Sequence, residues 1–181
     1  AADYDGWRQM GLPGWGWDDV LPLFKRHEDY AAGEAGEAHG TGGEWRIENQ
    51  RLRWDILDAW AEAAQQMGVP AIDDFNTGDN EGVGYFKVTQ RSGWRWNTSK
   101  AFLRPLRDRD SLRVQTGAQA TGLVFDGARC TGVRYRADGQ EQTATASREV
   151  VLCAGAIGSA QILQLAGIGP GAALQDMGIA V

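Results

Sequence analysis

The sequence predicts a mixed α/β (α+β) chain, and three observations carry that expectation. An unalternated apolar run near the carboxyl end leads into a glycine turn and a helix. Short Val-, Leu- and Thr-rich strands are joined by Asp-Gly pairs. The amino-terminal half combines helices and short strands and holds all eight tryptophans, between Trp7 and Trp96. The apolar run, residues 150–153, lacks polar alternation and so suits a parallel strand covered on both faces. Gly155 and Gly158 then keep the turn clear of side chains. Ser159 is placed to cap the following helix, Gly167 to end it, and Pro170 cannot continue it. A helix start facing such a turn suits an anion.

The remaining elements follow in chain order. Asp18 or Asp19, after Gly14-Trp15-Gly16-Trp17, is an N-cap for a helix running to Tyr30. Residues 31–43, rich in Gly, Ala and Glu, read as a loop, and 44–49 alternate as a strand. Trp54, Leu57, Trp60, Ala61, Ala64 and Met67 recur at three- and four-residue steps. They share one helix face, which assigns Trp54 and Trp60 to the core; Gly68 ends that helix. Residues 73–84 are loop and 85–89 a strand, and Thr98 caps a short helix over 99–104 before Pro105. Strands are expected at 112–116, 121–125, 131–136, 142–146 and 150–153, with hairpins at Asp126-Gly127 and Asp138-Gly139. The loss of tryptophan after Trp96 marks a boundary between domains 1–96 and 97–181.

Composition narrows the function. With 181 residues, 43 % hydrophobic and 23 % charged, the chain reads as soluble and globular. A net charge of −6 with scattered acids recommends no nucleic-acid partner. No apolar run approaches the roughly 20 residues of a transmembrane segment, and no leader pattern opens the chain. Cys130, expected on an exposed-edge strand, and Cys153, expected on a buried one, make no disulfide framework and fit a reducing compartment. The chain opens without a methionine, and the strand at 150–153 needs parallel neighbours joined by long crossovers; both lead to the expectation of an internal piece of a longer protein.

Few side chains suggest acid–base chemistry. His27, among Lys25, Arg26, Glu28 and Asp29, reads as a solvated histidine, and His39 sits in a glycine turn. Neither reads as a general base, and two histidines so placed give no metal-ligand spacing. Asp73, Asp74, Asp79 and Glu81 lack the rhythm of a calcium loop. Trp94 and Trp96, beside Arg91, Arg95 and Asn97, are candidates to border a ligand cavity. The tryptophan-rich half also admits a different class of function, a non-enzymatic carbohydrate-binding module.

Several stretches share an order and spacing with one family. They are Asp3-Tyr4-Asp5-Gly6-Trp7, His39-Gly40-Thr41-Gly42-Gly43, Asp73-Asp74-Phe75-Asn76, Thr98-Ser99-Lys100-Ala101-Phe102-Leu103, and Cys153-Ala154-Gly155-Ala156 through Gly167-Ile168-Gly169. Together they resemble the glucose-methanol-choline (GMC) flavoprotein oxidoreductases, choline dehydrogenase-like members above all. Ala160 departs from the family's Pro or Ser and Ala166 from its Ser, and no Gly-x-Gly-x-x-Gly follows a strand here. The resemblance implies part of a substrate-binding domain (1–96) followed by part of a Rossmann-like FAD-binding domain with a β-meander (97–181). It implies a small-molecule substrate, a primary alcohol such as choline, oxidised by hydride transfer to FAD, with electrons passed to oxygen or to a quinone or dye. Ala120, at the family's Val position, and Ala154 and Gly155 match cofactor-binding positions that act through the backbone. The family's catalytic histidine lies beyond Val181, so no catalytic residue is nominated and the piece alone is expected to be inactive. Its expected location is cytoplasmic, with peripheral membrane attachment open to the full-length enzyme.

Overall fold

A computed structural model of the chain describes residues 1–78 and 80–181. Helices and sheets are mixed, and the chain divides into two units, Ala1–Leu112 and Arg113–Val181. The first unit holds α1 (Ala2–Gln9), α2 (Trp17–His27), β1 (Glu28–Tyr30), β2 (Trp45–Asn49), α3 (Asp55–Gln66), β3 (Lys87–Val88) and the hairpin strands β4 (Gln90–Arg91) and β5 (Trp94–Arg95). Strand β1 runs parallel to β2, and β3 runs antiparallel on the other side of β2. Residues 97–112 pack with this unit: Ala101 is buried, and the Phe102 ring stacks on Trp45 at 5.8 Å. The second unit is the meander β6 (Gln119–Asp126), β7 (Arg129–Ala137) and β8 (Gln140–Thr145), followed by α4 (Gly155–Leu165) and α5 (Gly171–Asp176).

Local chemistry explains where these elements start and stop. Helix α2 begins one turn earlier than its acids suggest. Gly16 is the N-cap, its N–H donates to Asp19 Oδ2 at 3.0 Å, and Asp5 Oδ1 on α1 accepts the Trp17 N–H at 3.0 Å. Tyr4 packs against Trp7 within α1 and against Trp17 and Phe24 on α2, with centroids 5.1 to 5.8 Å away, which uses Trp17 as helix–helix packing. The helix does not reach Tyr30, because residues 28–30 leave it to pair with Trp45, Arg46 and Ile47. Asn97, not Thr98, caps the short helical turn Ser99–Leu103, its Oδ1 accepting the Lys100 N–H at 3.0 Å. Helices α3 and α4 end at Gly68 and Gly167 as their sequences predict. The N–H groups of Val69 and Ile168 donate back to Ala64 and Leu163 carbonyls at 3.0 and 2.9 Å.

Several expectations are corrected. Residues 112–116 and 150–153 form no strand, since a strand persists through its ladder and neither stretch has a partner among the described residues. Cys153 is consequently exposed, and Cys130 lies on β7, the central rather than an edge strand of the meander. Trp54 and Trp60 are 56 % and 66 % exposed, not core. Helix α3 instead turns Asp58, Ala61 and Ala64 inward, anchored by the Tyr85 hydroxyl donating to Asp58 Oδ1 at 2.8 Å. The expected strand 85–89 contracts to Lys87–Val88. The hairpins stand as predicted, with Asp126 paired to Arg129 and Ala137 to Gln140. Asp79, weighed above with the acidic loop, lies outside the described residues.

The parallel pair β1–β2 is joined by loop 31–44, which folds back along β1. The Tyr30 N–H donates to the Gly40 carbonyl at 3.0 Å, and the Gly43 N–H to the Glu28 carbonyl at 2.9 Å. This approach is so close that a Cβ on Gly40 would run into the Lys25 carbonyl oxygen, and one on Gly43 into that of His27. The docked loop delivers His39 into a buried cluster. Its Nδ1 lies 3.0 and 3.1 Å from the Glu28 oxygens, and its Nε2 3.2 Å from Asp74 Oδ2, within ion-pair range but outside hydrogen-bond geometry. The Tyr30 ring stacks on the imidazole at 3.9 Å while its hydroxyl donates to Asp74 Oδ2 at 2.5 Å.

Burial opposes the Asp74 carboxylate, but hydrogen bonds from Tyr30 and the Asn76 N–H, with the charges of His39 and Lys87, outweigh it and hold its pKa below 3.8. Burial, reinforced by the Asp74 hydrogen bond and charge, pushes the Tyr30 phenol well above 10.0. Gly40→Ala should therefore cost about 1–3 kcal/mol by overpacking, whereas Gly36→Ala, in open space, should stay within about 0.5 kcal/mol; denaturant midpoints compare them. The folded Asp74 binds its proton less tightly than the unfolded one, so its contribution is full above pH 3.8 and fades as pH falls below that value. The raised Tyr30 contributes fully below pH 10.0 and fades as pH rises beyond it. Asp74→Asn should flatten the acid limb of a stability–pH profile and Tyr30→Phe the alkaline limb, the latter at a loss of about 1.5–3 kcal/mol near neutrality.

Candidate functional site

The nominated cofactor-binding residues lie in the second unit, where α4 packs against β6. Ala120 is half-buried on β6 opposite Tyr135, beside a register shift between Ala120 and Gly122 that interrupts the regular ladder. Ala154 is the N-cap residue of α4 and Gly155 its first helical residue, both exposed. Gly155 has φ +81°, a conformation side chains disfavour, and a Cβ built on it would meet no atom within 4 Å. Ser159 does not stand at the N-cap. From inside the helix, its Oγ accepts the Ala154 N–H at 3.1 Å. No side chain caps the first turn, and no acid occupies it. The result is a bare helix entry, with positive dipole end and open space above the glycine, which fits an electron-rich ligand approaching the backbone.

The first unit offers a cavity of about 630 Å³ between α3 and β3. Arg53 donates to Asp58 Oδ1 at 3.0 Å and lies 5.1 Å over the Tyr85 ring, and Lys87 Nζ donates to Asn49 and Asp73 at 2.9 and 3.1 Å. The Tyr85 hydroxyl and then Arg53 hold Asp58 below the ordinary carboxylate range. Both lining cations are thus paired with lining acids, and Glu62 adds a further carboxylate, a polar wall that suits a small polar molecule. Trp94 and Trp96 do not line this cavity; Trp96 lines a second one, and Trp94 is 75 % exposed.

Of the two histidines, His27 is exposed and edge-on to Phe102, and His39 is committed to the Glu28–Asp74 cluster. Among the described residues no group of three or more His, Cys, Asp or Glu is arranged to hold a metal ion, and no helix is long and apolar enough to cross a membrane. Sequence reasoning missed the pairing of Glu28, Tyr30 and Asp74 around His39. These residues lie up to 46 positions apart, and only the shared acidic character of Glu28 and Asp74 hinted at it.

Comparison with known proteins gives this geometry its setting. A family model described as GMC oxidoreductase matches residues 1–178. An oxygen-dependent choline dehydrogenase of Rhizobium johnstonii is 38 % identical over 181 residues, covering 100 % of this chain and 33 % of that protein. Human mitochondrial choline dehydrogenase is 35 % identical, with 100 % of this chain and 30 % of that protein covered. Among solved structures, pyridoxine 4-oxidase from Mesorbium loti superposes with a TM-score of 0.88 at 30 % identity, covering 99 % of this chain and 35 % of that one. A FAD-dependent oxidoreductase from Chaetomium thermophilum gives 0.89 at 26 % identity, covering 99 % and 33 %. The chain thus spans about a third of the length of these relatives. These likenesses lend no support to a carbohydrate-binding module. On a match that runs through nearly every residue described above, the chain belongs to the GMC oxidoreductase family.

Proposed function

We propose that this chain is part of a FAD-dependent enzyme that oxidises a primary alcohol such as choline. Residues 1–96 belong to its substrate-binding domain and 97–181 to its FAD-binding domain. The observation that carries the reading is the uncapped, side-chain-free entry of α4 at Ala154 and Gly155, in a chain matched to the family from residue 1 to 178. Ala120 on β6 offers main-chain N–H and C=O to the adenine end, so that Ala in place of the family's Val leaves the contact intact. Gly155 leaves the space above its backbone clear, and the first-turn amides of α4 stabilise negative charge there. The chemistry that FAD supplies when bound is acceptance of a hydride from the alcohol carbon.

The oxygen-dependent choline dehydrogenases among the relatives support choline as substrate and oxygen as acceptor, with a quinone or dye as the alternative acceptor. The two free cysteines support a reducing, cytoplasmic location. In the complete polypeptide, Gly155→Val should cut flavin content tenfold or more, the factor that about 1.4 kcal/mol represents, while far-UV circular dichroism stays unchanged. Full flavin occupancy in that variant would overturn the reading. The 181-residue chain alone, supplied with FAD and a dye acceptor, should show no choline-dependent dye reduction.

A further inference from the structure

A second cavity in the first unit, of about 550 Å³, has a different electrostatic character from the first. Five cations line it: Arg46, Arg91, Lys100, Arg104 and Arg107. The concentration is local, since residues 91–109 carry six of the chain's 18 Lys and Arg but one of its 24 Asp and Glu, in a chain of net charge −6. Three acids also line the cavity, and two are already engaged. Asp29 accepts from Arg46 at 2.8 Å and from the Gly42 N–H at 3.1 Å, and Asp108 lies 3.5 Å from Arg107. Glu44 is the third. Arg91, Lys100 and Arg104 form no ion pair among the described residues.

The aromatic wall is also held in place. Trp96 donates its indole N–H to the Glu44 carbonyl at 2.7 Å, and the Arg91 guanidinium stacks 5.1 Å over the same ring. Lys100 is steered by the Arg95 carbonyl, to which its ammonium donates at 2.7 Å, leaving further N–H donors. A fixed ring, a stacked guanidinium and cations that outnumber the lining acids by five to three converge on one concavity. Such a surface lowers its own electrostatic energy by taking up negative charge.

We propose that this cleft is an anion-binding site for a small multivalent oxyanion, a phosphate ester or a polycarboxylate, held by Arg91, Lys100 and Arg104 beside Trp96. The proposal stands apart from the flavin reading, because no residue nominated for the cofactor lines the cleft. Calorimetric titration of the 181-residue chain with pyrophosphate and, separately, with citrate tests it and distinguishes the two sources. Saturable binding of either is expected, weakening as sodium chloride is raised. The double variant Arg91→Gln/Arg104→Gln should lose at least tenfold in affinity with its thermal midpoint retained. Arg136→Gln, on β7 of the other unit, should bind as the parent does. Arg104→Gln alone, which leaves the Arg91–Trp96 stack untouched, should show an intermediate loss. Absence of saturable binding by both anions, or equal affinity in the double variant and the parent, would overturn the proposal.

Discussion

The first unit depends on the docking of the glycine loop along β1. A parallel pair cannot be closed by a tight turn, and here residues 31–44 make the return without a helix. The loop completes its own hydrogen bonding by lying against Glu28 and Tyr30, and it can do so only where backbone meets backbone. Glu28 serves this contact twice over. Its carbonyl receives the Gly43 N–H, and its carboxylate takes both the Gly40 N–H at 2.8 Å and His39. From there the constraint spreads through Asp74 and Lys87 to β3.

The second unit is organised differently. Its meander is built from neighbouring segments, with every strand paired to the next in sequence, so its hydrogen bonds need only hairpin turns. The helix entered at Ala154 and Gly155 packs on β6, yet Val151 and Ile157 beside its entry are 73 % and 87 % exposed. Exposed apolar surface next to a bare helix start is what a large, partly apolar ligand or further polypeptide would cover, and the relatives are about three times longer than this chain.

Legibility in the sequence followed the range of the interactions. Gly68 and Gly167 as helix ends, and Asp126-Gly127 and Asp138-Gly139 as hairpins, are decided within a few residues and were readable. The strand expected at 150–153 was not realised, because β-structure of that kind is a property of a ladder rather than of a segment. Residues 28–30 were read as helix because only their pairing with β2 draws them out of it. Trp54 and Trp60 have the periodicity of a core face, but the polar anchor at Asp58 decides which side of α3 turns inward. At the candidate site, glycine at 155 and the small residues around it were legible from backbone chemistry. The clamp around His39 was not, since nothing local joins Tyr30 to Asp74.

The outermost strand of the meander, β8, reads Gln-Glu-Gln-Thr-Ala-Thr and is exposed along its whole length. Its free rim of peptide groups would ordinarily invite a stranger's strand to add on. Hydrophilic side chains, one of them acidic, make that rim comfortable in water. The meander can therefore end where it does without recruiting copies of itself into fibres.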